Sequence, residues 1–204
     1  RLGEIESRGQ RHRRWVEKEA AGVVAAITAY NYPNQLAMAK LGPALAAGCT
    51  VVLKAAPDTP LTTLALGEVI AKYTDIPAGV INVISSTDAA VGVALTTSPD
   101  VDVVTFTGST ATGRKIMAAA SETIKKVFLE LGGKSPNIVF ADADLQKAAA
   151  DSPMSVFANT GQDCCARSRM FVEKTIYEPF VEKYEAATRK LMVGDTARAE
   201  THLG

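Results

Sequence analysis

The stretch "GVVAAITAYNYPNQLAMAKLGPALAAGCTVVLKA", residues 22–55, decides the fold. It opens on an apolar run at 22–29, which predicts a strand buried on both faces. "QLAMAKLGPALAAG" at 35–48 predicts a helix that ends at Gly48, since glycine accepts the left-handed conformation that stops a helix. "TVVLKA" at 50–55 returns to a short apolar strand. Two such strands joined through a helix lie parallel, with a right-handed crossover.

The alternation continues outward. Helices are expected at 59–74, 89–98 and 109–121, and strands at 79–85, 101–108 and 125–131. Pro60 suits the first turn of its helix. The fold class is therefore α/β, a parallel sheet with helices on both faces. Ligands of such sheets bind at the carboxyl ends of the strands. After Gly133 the rhythm is less regular: a strand at 137–140, a helix at 143–159 that Pro153 should kink or split, a strand at 168–174 and an amphipathic helix at 177–192. The glycines and proline of "ELGGKSP" mark a boundary. The division expected is a connecting or strand segment at 1–21, a first domain at 22–131 and the start of a second at 132–204. The chain lacks an initial Met and closes on the polar "GDTARAETHLG", so it is expected to be part of a longer protein.

Composition narrows the function classes. At 204 residues, 47% of them hydrophobic, the chain has ample material for a core. Basic and acidic residues balance at 22 each, which gives no electrostatic reason to expect nucleic acid. The basic cluster "RGQRHRR", Arg8–Arg14, reads as a solvated face. No run approaches the roughly 18 apolar residues of a membrane span, and the charged N-terminus does not read as a signal peptide, so none is expected. Three cysteines are too few for a disulfide scaffold and point to a reducing, cytoplasmic setting.

Several segments carry candidate chemistry. In "FTGSTATG", 106–113, a strand ends, Gly108 turns the chain, and Ser109 or Thr110 opens a helix. That is either an anion site on exposed amides or an ordinary turn with a serine cap. It is not the G-x-G-x-x-G fingerprint. "GGKS" at 132–135 is no phosphate loop, because Phe128 occupies the position of the required earlier glycine. Lys54 ends a strand at the ligand edge of the sheet, which favours a ligand contact over a solvated strand end. Glu130, also at a strand end, reads equally as a solvated carboxylate or a functional one. Cys49 suits a helix–strand junction as a small hydrophobe. In "GQDCCARSR", 161–169, Cys164 and Cys165 sit in a polar loop near Arg167 and Arg169, where cations favour a thiolate. The histidines are His12 and His202, both near the ends, which argues against a Cys–His pair and leaves a metal site short of ligands, so no metal is expected.

Five segments together resemble the NAD(P)-dependent aldehyde dehydrogenases: "AYNYPN" (29–34), "KAAPDTPLT" (54–62), "FTGSTATG" (106–113), "LELGGKSPNIV" (129–139) and "GQDCCARSR" (161–169). They stand in family order with family-like separations, 133 positions from Asn31 to Cys164 and 34 from Glu130 to Cys164. The resemblance implies a Rossmann-like dinucleotide-binding domain at 22–131 and the start of a catalytic domain at 132–204. It implies oxidation of an aldehyde to the acid with NAD or NADP. Cys164 would be the nucleophile, forming a thiohemiacetal and then a thioester. The Asn31 side chain and the Cys164 amide would hold the oxyanion, and Glu130 would activate the hydrolytic water. Lys54, Gly108, Ser109, Gly113, Leu131 and Gly132 would contact the cofactor. The intact parent would be a homo-oligomer, dimer or tetramer. Two alternatives stand beside this: a non-catalytic dinucleotide-binding module, and a coenzyme A-acylating enzyme, which the presence of Glu130 disfavours.

The departures are specific. Pro57 stands where the family often has a glutamate that binds the ribose hydroxyls, which leaves NAD against NADP open. "SSTD" at 85–88 replaces a P-G-x-G turn, and Tyr30 replaces the usual tryptophan. Asp163 beside Cys164 should raise the thiol pKa unless Arg167 or Arg169 offsets it.

Overall fold

The computed structural model describes residues 3–204. Arg1 and Leu2 of the expected 1–21 segment lie outside the described residues. The chain forms two compact units, Arg1–Thr107 with Thr112–Leu129, and Gly108–Ala111 with Glu130–Gly204.

The central apolar strand is β3 (Val23–Ile27), which is followed by α1 (Pro33–Ala46), β4 (Thr50–Ala55), α2 (Pro60–Tyr73), β5 (Ile81–Ser85), α3 (Ala89–Thr97), β6 (Val103–Gly108), α4 (Thr110–Ser121) and β7 (Lys126–Leu131). The five strands form one sheet in the order β5-β4-β3-β6-β7. β3 pairs in parallel with β4 and β6, and β4 with β5, which is the crossover arrangement expected. Every second residue of β3 and β4 faces the same helices: Val24, Ala26, Val51 and Leu53 close on Ala37, Leu41 and Ala44 of α1, with Leu66 and Ile70 of α2 against them. Ala25 and Ala26 are both fully buried, as a strand covered on both faces requires.

The strand register starts at a clamp. The Asp102 carboxylate accepts the Val23 amide at 2.8 Å. Gly22, at φ 115°, is the residue that lets Asp102 in, because a Cβ there would collide with its carboxylate.

Helix and strand ends agree with the sequence pattern to within a few residues. α1 begins earlier than the apolar period suggests because Pro33 occupies its first turn, where the missing N–H costs nothing. The 1–21 segment holds an antiparallel hairpin, β1 (Gly3–Ser7) and β2 (Gln10–Arg14), whose register closes at Ser7↔Gln10. Arg8 and Gly9 turn it with φ of 53° and 73°, the left-handed pair that suits a two-residue hairpin loop.

In the second unit β8 (Pro136–Val139) pairs in parallel with β9 (Arg169–Val172). Its core is Val139, Ala149 and Phe180, backed by Leu145, Met170, Val172 and Tyr184. Pro153 splits the expected helix into α5 (Leu145–Asp151) and α6 (Met154–Phe157), and Asp144 caps α5 by accepting the Lys147 amide at 3.0 Å. α7 (Tyr177–Thr188) ends short of the expected residue 192. Ile138 and Phe171 point away from this core and are exposed. Among the described residues no helix is long and apolar enough to cross a membrane.

Candidate functional site

The cysteine loop of the second unit is built from local backbone chemistry. After α6 the chain runs through Asn159, Thr160 and Gly161 with successive φ of 52°, 58° and 75°. Left-handed geometry is costly for a β-branched residue such as Thr160, so the surroundings must hold it. Asn159 and Gln162 do so reciprocally. Asn159 Nδ2 donates to the Gln162 carbonyl at 3.3 Å, while Gln162 Nε2 and the Gln162 amide donate to the Asn159 carbonyl at 3.2 and 3.1 Å. Downstream, the Arg167 amide donates to the Ser155 carbonyl at 3.0 Å, and Arg169 Nε donates to the Lys134 carbonyl at 2.6 Å. The loop is thus tied to α6 on one side and to "GGKS" on the other.

Cys164 is half-buried at the turn and Cys165 beside it is exposed. Their sulfurs lie 3.7 Å apart, and the Asp163 carboxylate accepts the Cys165 amide at 2.8 Å. Burial pushes the Cys164 thiol above its ordinary pKa; the Cys165 thiol adds to this through a hydrogen bond and its charge, the Asp163 charge adds after it, and the residue's own amide opposes. The upward direction is the one Asp163 suggests, but Asp163 is not its leading cause, and neither Arg167 nor Arg169 is among the groups that offset it. The Arg169 guanidinium lies 5.6 Å over the Phe171 ring.

Other residues singled out in the sequence take these places. Asn31 follows β3 in the loop before α1 and is half-buried, with its side-chain oxygen shielded from solvent. Lys54 is buried near the carboxyl end of β4, its Nζ donating to the Ser86 carbonyl at 3.2 Å and that of Ala55 at 3.5 Å. Gly108 closes β6, Ser109 is exposed immediately before α4, and Gly113 is buried within that helix. Glu130 is exposed and Leu131 half-buried at the end of β7, with Gly132 exposed after them. Cys49 is buried in the core of the first unit. A concavity of about 300 Å³ in the second unit, among Asn137, Asp144, Lys147, Ser152 and Arg167, takes in none of these candidates.

Two features escape the sequence reading. Gly133 lets the backbone approach the cysteine loop, since a Cβ there would stand 2.9 Å from the Cys164 carbonyl oxygen. The doublet Gly132–Gly133 is the available signal: one glycine suffices for a turn, and a second points to close backbone approach. The other is Cys165, which acts on Cys164 through charge and hydrogen bonding.

Comparison with known proteins covers almost the whole chain. The family model for the aldehyde dehydrogenase family matches residues 2–204. The mitochondrial succinate-semialdehyde dehydrogenase of Arabidopsis thaliana is 49% identical over 189 residues, 93% of this chain and 36% of that protein. The succinate-semialdehyde dehydrogenase (NADP+) of Escherichia coli is 49% identical over 180 residues, 88% of this chain and 37% of that protein. The crystal structure of a mutant aldehyde dehydrogenase C from Pseudomonas syringae, in complex with NAD+ and octanal, superposes with a TM-score of 0.88 at 36% identity, covering 98% of this chain and 40% of that one. This chain therefore spans two fifths or less of the length of these proteins. With the parallel sheet, the helix pattern and the cysteine loop all in place, the chain belongs to the aldehyde dehydrogenase family.

Proposed function

We propose that the protein carrying this chain oxidises an aldehyde to its carboxylic acid, with Cys164 as the nucleophile. The observation that supports this most is the cysteine loop itself: a half-buried thiol on a backbone fixed by the Asn159–Gln162 pair and by Gly133. Such fixation keeps a reacting sulfur where the carbonyl carbon must sit. Cys164 Sγ adds to the aldehyde carbon after losing its proton, and the oxyanion is held by the Cys164 amide and the Asn31 side chain. Loss of one such donor typically costs about 100- to 1000-fold in rate. Glu130, at the end of β7, takes a proton from water to release the acid.

The residues fit a dinucleotide. β3, β4 and β6 end at one edge of a parallel sheet, the customary ligand edge. There Lys54 supplies an ammonium at the end of β4, and after β6 the amides that open the twelve-residue α4 follow Gly108 and Ser109. Gly113, Leu131 and Gly132 complete the proposed contacts. When bound, NAD or NADP accepts the hydride. Pro57 supplies no carboxylate to select between them. The parent acts as a homo-oligomer, dimer or tetramer, in a reducing, cytoplasmic setting, with residues 22–131 as the dinucleotide-binding domain and 132–204 opening the catalytic domain.

The test is reduced-cofactor formation with NAD and with NADP over a panel of aldehydes, including a carboxylated semialdehyde, beside a Cys164→Ala control. Turnover that disappears in the control is expected. Turnover that survives it would overturn the assignment, and cofactor binding without any turnover would favour the non-catalytic reading.

A further inference from the structure

We infer that Asp163, Cys164 and Cys165 form a capture site for a thiophilic divalent cation of the Zn2+ or Cd2+ kind, which switches the reactive thiol off reversibly. One carboxylate oxygen of Asp163 and the two sulfurs lie within 4.8 Å of one another. A tetrahedral zinc ion holds thiolate sulfur at about 2.3 Å and carboxylate oxygen at about 2.1 Å, so two sulfurs on one ion stand about 3.8 Å apart, and sulfur and oxygen about 3.6 Å. The observed sulfur separation is 3.7 Å. The pair, in hydrogen-bond contact as thiols, can therefore take one ion with little movement of either sulfur, and it is not a disulfide, whose sulfurs are about 2.05 Å apart.

The rest of the loop favours the same occupant. The Asp163 carboxylate accepts the Cys165 amide at 2.8 Å, which restrains the third donor. Cys165 is exposed in this chain. Three protein donors leave a fourth position to water, the arrangement of an open zinc site and not of a closed structural one. The scarcity of histidine that speaks against a resident metal does not bear on a site whose donors are three consecutive residues.

Binding displaces one proton from each thiol, so affinity rises with pH and two protons appear in solution per ion bound. The sulfur electron pair that would attack a carbonyl is then committed to the metal. The inhibitory half of this inference rests on the reading of Cys164 as the nucleophile; the binding half does not.

The experiment titrates the fully reduced protein with Zn2+ against a chromophoric chelator, and with Cd2+ while following the ultraviolet thiolate-to-metal band. Cys165→Ser and Asp163→Asn are run in parallel, and each protein's turnover is compared with its own zinc-free value. One equivalent of Cd2+ is expected to raise the thiolate band. Cys165→Ser is expected to weaken Zn2+ at least about tenfold, Asp163→Asn less so, as fits loss of a thiolate and of a carboxylate ligand. Chelator should restore turnover. Absence of the band, or Zn2+ affinity unchanged in both variants, would overturn the site. Zn2+ that binds with the expected variant pattern yet leaves turnover intact would uphold the site and overturn the role given to Cys164.

Discussion

In the central sheet, Ala25 and Ala26 are fully buried and register with Val52 and Leu53 on one side and Val104 and Thr105 on the other. In the cysteine loop, Asn159, Thr160 and Gly161 adopt three successive left-handed conformations, and of the two cysteines beyond them Cys164 is half-buried and Cys165 exposed. The first region is held by apolar area removed from water, distributed over many residues. The second is held by a few directional bonds and one absent side chain, that of Gly133. The lesson is a separation of roles: substitutions in the sheet should move stability, and substitutions in the loop should move reactivity.

The largest effect tests the sheet. Leu53 is fully buried, so Leu53→Ala should lower unfolding free energy by about 2–5 kcal/mol. Denaturant titration reads the loss. Alkylation of Cys164 in the protein that remains folded should hold its rate; a parallel collapse of that rate would break the separation.

Gly133→Ala tests the loop. Its Cβ would meet the Cys164 carbonyl at 2.9 Å, so the backbone at Cys164 must shift. Displacement of a reacting group by about 1 Å can cost about 100-fold, and kcat/KM should fall by that order while stability falls less than in Leu53→Ala. A variant that keeps wild-type kcat/KM would show that Gly133 is a turn residue and nothing more.

Thr160→Gly addresses the strained turn. Relief of left-handed geometry is worth about 1–2 kcal/mol, against about 0.4–1 kcal/mol of added freedom in the unfolded chain. Stability should therefore rise slightly or stay level, as denaturant midpoints would record. A clear loss would mean that the Thr160 side chain makes contacts worth more than its strain.

The smallest effect concerns the thiol pKa. Burial raises it first, and Cys165 and then Asp163 raise it further, so less thiolate is present at a given pH and alkylation climbs only as pH passes above the ordinary thiol range. Cys165→Ala should bring that rise to lower pH, and Asp163→Gly or Asp163→Asn should do so by less. Iodoacetamide capture, localised to Cys164 by peptide fragmentation, distinguishes the two. An Asp163 variant faster than Cys165→Ala would reverse the order of causes.

What the sequence made legible follows the same division. The apolar runs at 22–29 and 50–55, with Gly48 and Pro60 between periods, are enough to place β3, α1, β4 and α2, because burial on both faces leaves its mark on every residue of a strand. Pro153 announces the break between α5 and α6. The hairpin at Gly3–Arg14 is harder to see, since "RGQRHRR" carries charge where a strand pattern would show apolar residues, and Arg8–Gly9 is a quiet turn signal. The loop is legible in its residue types but not in its geometry. That Gly133 would admit the Cys164 carbonyl depends on a contact between distant stretches of the chain, and that Thr160 would be left-handed and Cys165 would precede Asp163 among the causes of the thiol shift depends on how neighbouring side chains are turned. Periodicity carries none of these.

The measurement that tests the central claim most directly is the identity of the acylated sulfur. In the polypeptide that carries this chain, Glu130→Gln should slow release of the acid, so that aldehyde and oxidised cofactor leave a thioester on the protein. Peptide mass spectrometry across residues 161–169, with fragmentation between the two cysteines, reads its position. The account predicts an acyl group on Cys164, formed together with one equivalent of reduced cofactor. An acyl group on Cys165, or reduced cofactor formed with no acyl group on either sulfur, would contradict it.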